Sequence, residues 1–171
     1  MNKKKKLYEG KAFDISLYSF LIGGRKVKHE IIEQGNAAAL LALENDKVVM
    51  VKQFRYAHKN VLEIPAGILN KNETSEECVK REFLEETGYE AKKITHLVRY
   101  YPLLGYSLQY IDCFLTTNIK KISEQNLDDE ESIEVEKIPL KKVISMIKTG
   151  KIIDSKTITS VMIYAAKKKL N

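Results

Sequence analysis

Hydrophobic and polar residues alternate along much of the first third of the chain, a pattern typical of β-strands with one buried face. An alternating stretch over residues 8–22 ends at Gly23-Gly24, so we predict a hairpin with a second strand over 26–33. The stretches 37–43 and 47–54 are apolar on both sides and are separated only by a short polar turn. Strands of this kind are buried on both faces, so we expect these two at the centre of the core.

The rest of the chain predicts helices as well as strands. Four further strands are expected over 61–64, 94–101, 108–116 and 132–138. Helical periodicity appears over 140–148 and 156–169, with Gly150 between the two segments. Strands on both sides of one central helix, followed by two terminal helices, predict an α/β protein whose mixed sheet is sandwiched by helices.

The central helix has clear start and stop signals. Thr74 and Glu77 have the spacing of a capping box, which satisfies backbone N–H groups at a helix start and places that start near Ser75. Gly88 supplies the stop, because glycine readily adopts the left-handed conformation that ends helices. The predicted helix therefore spans residues 75–87.

Three carboxylates share one face of this helix. Spacings of three and four residues stack side chains, so Glu82, Glu85 and Glu86 should fall within an arc of about 100°. Val79 and Phe83 lie beside that arc, which places the carboxylates at the edge of a core. Like charges this close repel, and hard oxygen ligands suit Mg²⁺, or alternatively Mn²⁺. The plain alternative is an acidic helix face exposed to solvent.

Length and composition indicate a globular protein. At 171 residues, with 44% hydrophobic and 30% charged residues, the chain suits one domain spanning 1–171. No apolar run reaches the 18 residues or so of a membrane span, and we expect a cytoplasmic protein. Cys78 and Cys113 lack metal-site spacing and fit buried small hydrophobes better than a disulfide.

Charge is unevenly distributed around a net value of +6. Residues 73–90 contain seven acids and two bases, and residues 124–136 contain seven acids and no base. Acidic segments in a basic protein suggest a metal site within a field that attracts anionic substrates. Nucleic acid is the competing explanation, because lysines cluster at 3–6 and 167–169. Both clusters are terminal, where lysines usually serve solubility, so nucleic-acid binding is not favoured.

Residues 67–89 contain Gly67, a glutamate six residues later, and Arg-Glu-x-x-Glu-Glu-x-Gly from Arg81 to Gly88. This pattern resembles the Nudix box, the signature of enzymes that hydrolyse nucleoside diphosphates linked to another group. The segments 8–11, 51–55, 62–67 and 127–165 are similar to the ADP-ribose pyrophosphatase branch. This resemblance implies an α/β/α sandwich and metal-dependent hydrolysis of ADP-ribose, or a related ADP-sugar, to AMP and a sugar phosphate.

The same resemblance implies roles for residues around the box. Glu82 and Glu86 match the principal metal ligands, Glu85 an additional ligand, and the carbonyl of Ala66 a further contact. Arg81 and Glu73 match an ion pair that holds the box loop to its helix.

Two more residues are assigned to substrate and water. Arg55 is expected to grip the diphosphate, since a guanidinium can donate two parallel hydrogen bonds to phosphate oxygens. The alternative for Arg55 is a surface arginine at a strand end. Glu131 best matches the glutamate that acts as general base in the branch, with Asp129 and Glu130 as neighbouring candidates and a solvated acidic loop as the alternative.

Some features leave the substrate open. The loop after Tyr101 lacks the proline that the branch commonly places directly before Gly105, and Gln109 stands where an acid is common. A Nudix enzyme for another nucleotide, such as a dinucleotide or a modified nucleoside triphosphate, is one alternative. A sensor that binds ADP-ribose without cleaving it is another. That alternative predicts damaged box carboxylates, whereas the box of this chain is intact. Relatives in the branch tend to be homodimers, so the strands over about 7–34 are candidates for a dimer interface.

Overall fold

The computed structural model describes residues 4–127 and 132–170, whose strands form two sheets. These residues divide into two units. One unit contains the described residues up to Asn36 together with Tyr100–Ile111, and the other contains Ala37–Arg99 and the described residues from Asp112 onward. A single domain over 1–171 stays a prediction. Among the described residues, no helix is long and apolar enough to span a membrane.

The first unit is built on a three-stranded antiparallel sheet. Its strands, in the order β1-β2-β3, are β1 (Lys4–Tyr8), β2 (Asp14–Ile22) and β3 (Arg25–Glu33). The predicted hairpin is confirmed, and Gly23 and Gly24 form its turn with φ of +55° and +79°. The predicted stretch 8–22 is interrupted at Gly10, where an added Cβ would lie 2.5 Å from Cε1 of Tyr8.

The second sheet contains the remaining strands. They are β4 (Ala37–Glu44), β5 (Lys47–Arg55), β6 (Lys59–Glu63), β7 (Ala66–Ile68), β8 (Tyr89–Tyr100), β9 (Ile111–Lys121) and β10 (Ile133–Pro139). The main order is β10-β5-β4-β9-β8, with β6 paired to β5 and β7 paired to β4. The three-residue strand β7 has no counterpart among the predicted strands, because so short a segment shows no alternation. It pairs Ala66 with Ala39 and so fixes the chain just before the central helix.

Helices cover both faces of this sheet. They are α1 (Ser75–Thr87), α2 (Leu140–Lys148) and α3 (Ser155–Lys167). Ala38 and Leu40 of β4 pack in one core cluster with Val79 and Phe83 of α1. The intervening residues of β4 point to the opposite face and are also buried, and α2 and α3 contact each other, with α3 also contacting β4. The predicted α/β/α sandwich with a mixed sheet is therefore confirmed.

Candidate active site

A pocket of about 280 Å³ lies beside α1. It is lined by Gln53, Arg55, Ala66, Gly67, Ile68, Arg81, Glu82, Glu85, Glu86 and Asn126. Five of the six residues assigned from the sequence thus line one pocket. The sixth, Glu131, lies outside the described residues, as do its neighbours Asp129 and Glu130. The roles assigned to all six stay predictions.

Helix α1 presents its carboxylates to this pocket because both ends of the helix are fixed. Thr74 and Glu77 form the predicted capping box, and Gly88 ends the helix with φ of +70°. Val79 and Phe83 are fully buried on the adjoining flank. The carboxylates are therefore graded in exposure, with the side chains of Glu85 and Glu82 37% and 18% exposed and Glu86 only 3% exposed.

Strand β7 contacts two of these carboxylates. The N–H of Ala66 donates to Oε2 of Glu86 at 3.2 Å, which gives this buried carboxylate a partner. The side chain of Glu82 lies against Gly67, where an added Cβ would be 1.9 Å from Cδ of Glu82. Only a residue without a side chain fits there, so Gly67 helps define the position of Glu82.

Arg81 is the centre of the charge network on α1. Its Nε and Nη2 donate to Glu73 at 2.8 and 2.9 Å, which confirms the predicted ion pair. Its Nη1 also donates to Glu82 at 2.7 Å and to Glu85 at 3.1 Å, contacts that the sequence did not indicate. The hydrogen bond from Arg81 lowers the pKa of Glu73 to about 2. The cation that the crowded carboxylates require is, in this structure, supplied partly by the helix itself.

Cys78 of α1 contacts both β7 and Arg81. Its Sγ is 3.6 Å from the carbonyl oxygen of Gly67 and 3.7 Å from Nη2 of Arg81. Burial, together with the negative charges of Glu82 and Glu73, raises the pKa of this thiol to about 12. The prediction that both cysteines are buried is confirmed, and neither forms a disulfide.

Arg55 belongs to a second network at the end of β5. Its Nε and Nη2 each donate to a carboxylate oxygen of Glu63 at 2.8 Å. Glu63 is buried and also contacts Nζ of Lys156, which donates to Asp154 at 2.9 Å. Arg55 does lie at a strand end with 43% of its side chain exposed, but the pair with Glu63 fixes the orientation of its guanidinium, and its role stays a prediction.

The segment after β9 closes the end of the pocket near the end of α1. The N–H of Asn126 donates to the carbonyl of Glu85 at 2.9 Å. The side chain of Gln125 donates to the carbonyls of Glu86 and Ile133, at 2.6 and 3.1 Å. Gln125 thus joins the end of α1 to the start of β10. Neither residue was predicted, because an amide in a polar segment carries no distinctive sequence signal.

The three carboxylates of α1 are the candidate ligands for a divalent metal ion. They share one pocket, as predicted, but within residues 4–127 and 132–170 no three acidic, histidine or cysteine side chains form a ready-made metal-binding group. Glu82 and Glu85 are held by Nη1 of Arg81, and Glu86 by the N–H of Ala66. The donor set nevertheless fits a hard divalent ion, because only oxygen donors are offered and Gly67 leaves room for Glu82.

Fold and site together define a class: an α/β/α sandwich in which one capped helix presents several carboxylates to a pocket that also contains arginine. Comparison with known proteins agrees. The Nudix domain matches residues 33–161, which is most of the chain. The chain therefore belongs to the Nudix family, whose hydrolases generally use divalent metal ions.

Several individual proteins are similar to this chain over most of its length. The chain is 33% identical to an ADP-ribose pyrophosphatase of Bacillus subtilis over 98% of this chain and 92% of that protein. It is 33% identical to a GDP-mannose pyrophosphatase of Citrobacter koseri over 77% of this chain and 74% of that protein. A crystal structure of an ADP compounds hydrolase superposes with a TM-score of 0.83, covering 99% of this chain and 95% of that one. At 13% identity, that superposition supports the fold alone.

Proposed function

We propose that this protein hydrolyses the pyrophosphate bond of ADP-ribose, or of a related ADP-sugar, to AMP and a sugar phosphate. The observation that carries the proposal is the pocket itself, in which Glu82, Glu85 and Glu86 are combined with Arg55. The similarity to an ADP-ribose pyrophosphatase along nearly the whole chain supports the choice of substrate.

Each group in the pocket suits one requirement of this reaction. Water must lose a proton as it attacks one phosphorus, and the other phosphate must leave with the bridging oxygen. We propose that Glu82 and Glu86, with Glu85 and the carbonyl of Ala66, hold Mg²⁺, with Mn²⁺ as a possible substitute. When bound, such an ion neutralises phosphate charge and lowers the pKa of bound water.

The remaining work falls to two side chains. Arg55 would orient the diphosphate, because its Nη1 lies outside the pair with Glu63 and its guanidinium lines the pocket. Glu131 would accept the proton of the attacking water as general base. Its assignment rests on the family pattern, with Asp129 and Glu130 as the neighbouring candidates.

We further propose that the protein is a homodimer that uses residues of about 7–34, and that it is cytoplasmic. Exposed apolar side chains in the first unit support a dimer, because a partner chain would remove them from water. They include Leu7, Tyr8, Phe13, Leu21 and Ile22.

A GDP-sugar is the second candidate substrate, favoured by the similarity to a GDP-mannose pyrophosphatase. Gln109 also stands where an acid is common in the ADP-ribose pyrophosphatase branch. Its side-chain oxygen accepts a hydrogen bond from Gln34 at 2.7 Å, and its side-chain nitrogen donates to the carbonyl of Gly35 at 2.6 Å. Other nucleotides, such as dinucleotides or modified nucleoside triphosphates, remain alternatives. A sensor without catalysis is disfavoured by the complete set of box carboxylates.

The deciding experiment incubates the protein and Mg²⁺ with ADP-ribose, other ADP-sugars, GDP-mannose, dinucleotides and modified nucleoside triphosphates, and identifies the products by chromatography. We expect AMP and ribose phosphate from ADP-ribose. If ADP-ribose survives while another compound is cleaved, the substrate proposal is wrong and the family assignment stands. Binding of ADP-ribose without cleavage of any compound would favour the sensor instead.

A further inference from the structure

Glu63 is a buried carboxylate that the site assignment did not include. It lies at the end of β6, opposite β5, and its side chain is only 4% exposed. Both of its oxygens accept hydrogen bonds from Arg55, each at 2.8 Å. This two-point contact fixes the plane of the guanidinium as well as its position, which a single hydrogen bond would not do.

A second cation holds Glu63 from the other side. Nζ of Lys156, in the first turn of α3, contacts Oε2 of Glu63 and donates to Asp154 at 2.9 Å. Asp154 caps α3 by accepting from the N–H of Thr157 at 2.9 Å. The hydroxyl of Thr157 in turn accepts from the N–H of Ile64 at 2.9 Å. The start of α3 is thus tied to the end of β6 at two points.

Two cations and two carboxylates balance in this network, which explains how the carboxylate of Glu63 can be buried. Burial raises the pKa of Glu63, but the hydrogen bond from Arg55 and the charge of Lys156 outweigh burial, so the pKa is lowered. Glu63 is therefore a charged, doubly anchored acceptor at neutral pH. An arginine side chain has many rotamers, and holding it in one of them before a ligand arrives removes an entropic cost of binding.

We propose that Glu63, anchored by Lys156 of α3, is a positioning residue that holds Arg55 ready for the diphosphate of the substrate. The inference rests on the proposed function, since it takes the ligand of Arg55 to be a diphosphate. Glu63 does not touch the substrate and acts through Arg55. Lys156, about 100 positions after Arg55 in the chain, thereby affects how tightly the diphosphate is held.

A double-mutant cycle tests this assignment. The probe is imidodiphosphate, a non-hydrolysable diphosphate, titrated by calorimetry in the presence of Mg²⁺. We expect Glu63→Gln and Arg55→Ala each to weaken binding about tenfold or more, and Lys156→Met to weaken it less. In an Arg55→Ala background, Glu63→Gln should cause no further loss. Glu44→Gln, which removes an acid paired with Lys137 away from the pocket, is the matched control and should bind like wild type.

Denaturant unfolding of each variant separates positioning from folding. Because Glu63→Gln leaves two cations facing a neutral amide, it could fail to fold. Arg55→Lys then carries the test, since it keeps the charge but cannot form the two-point contact, and it should lose nearly as much affinity as Arg55→Ala.

Three results would overturn the assignment. The first is unchanged binding of imidodiphosphate by a folded Glu63→Gln variant, and the second is full affinity in Arg55→Lys. The third is that Glu63→Gln weakens binding as much in the Arg55→Ala background as it does in the wild type. Turnover of ADP-ribose is measured in parallel. If the wild type binds imidodiphosphate through Arg55 but cleaves no nucleotide, the proposed function fails while the positioning role stands. Where turnover is present, Glu63→Gln should raise KM more than it lowers kcat.

Discussion

Arg81 and Arg55 line the same pocket, yet their surroundings differ. All three nitrogens of the Arg81 guanidinium are bonded to carboxylates, those of Glu73, Glu82 and Glu85. Arg55 uses two nitrogens, both for Glu63, and Glu63 is shared with Lys156. Three carboxylates face one guanidinium at Arg81, whereas two cations and two carboxylates balance around Arg55.

This difference divides the pocket into two sides with different chemistry. The side of α1 keeps an excess of negative charge and can attract a divalent ion. The side of Arg55 is neutral as a network, and Nη1 of Arg55 can donate to phosphate oxygens while Nε and Nη2 keep their contact with Glu63. The number of carboxylates around each arginine therefore favours a structural role for Arg81 and ligand binding for Arg55.

The largest expected effect comes from weakening the negative side. Glu82→Gln keeps the shape of the side chain but removes its charge, and should lower kcat by about a thousandfold, because the ion that activates water would be held less well. Steady-state hydrolysis of ADP-ribose with Mg²⁺ measures this. Glu76→Gln, an exposed acid in the first turn of α1, is the control and should keep wild-type turnover. More than a tenth of wild-type kcat in Glu82→Gln would contradict the assignment of this side.

A smaller effect is expected from the acidic segment before β10. Glu131→Gln should reduce kcat by about a hundredfold or more while metal binding persists, because proton abstraction is lost and the ligands on α1 are intact. Turnover and Mn²⁺ titration together give the answer. Normal turnover would reject Glu131 as the base, and the same pair of measurements on Asp129→Asn and Glu130→Gln would then test its neighbours.

Gly67→Ala tests the shape of the negative side without changing charge. The new Cβ would lie 1.9 Å from Cδ of Glu82, so the carboxylate must move, and kcat/KM should fall about tenfold or more. The same change in a Glu82→Gln background should cause little further loss, since the displaced group is already inactive. Equal losses in both backgrounds would place the cause elsewhere than in Glu82.

The smallest effect on turnover, and a clear one on stability, is expected from Glu73→Gln. Its carboxylate has a pKa of about 2 in the folded protein, below its ordinary value, so it stabilises the fold above about pH 4.5. We expect a loss of about 1 to 2 kcal/mol in the free energy of unfolding at pH 7. That difference should vanish as the pH falls towards 2, because Glu73 then takes up a proton in the wild type. Urea unfolding at pH 7 and pH 3 checks the sign.

Local rules were enough for much of the fold. The capping box and Gly88 predicted the bounds of α1, and helix periodicity placed three carboxylates in one pocket. Helix α2 spans 140–148 as predicted. These features depend on residues within a turn or two of each other, so a linear pattern contains them. Strand ends were less accurate: β9 continues to Lys121, because cross-strand pairing extends into residues that are polar and exposed.

Contacts between distant segments could not be predicted. Glu63 and Lys156 are 93 positions apart, and nothing near either residue in the sequence indicates the other. The bonds from Arg81 to Glu82 and Glu85 were missed for a different reason, because Arg81 had already been assigned to Glu73 and a guanidinium can serve several acids at once.

Cys78 makes the rigidity of this site accessible to measurement. Thiol reagents react with the thiolate. Cys78 is buried and has a pKa of about 12, so at neutral pH almost no thiolate is present and the sulfur is inaccessible to the reagent. Labelling of Cys78 therefore requires α1 to separate from its surroundings for a moment. Its rate reports how often the contact between α1 and Gly67 opens, and slower labelling on adding Mg²⁺ or a nucleotide would show that the ligand keeps this contact closed.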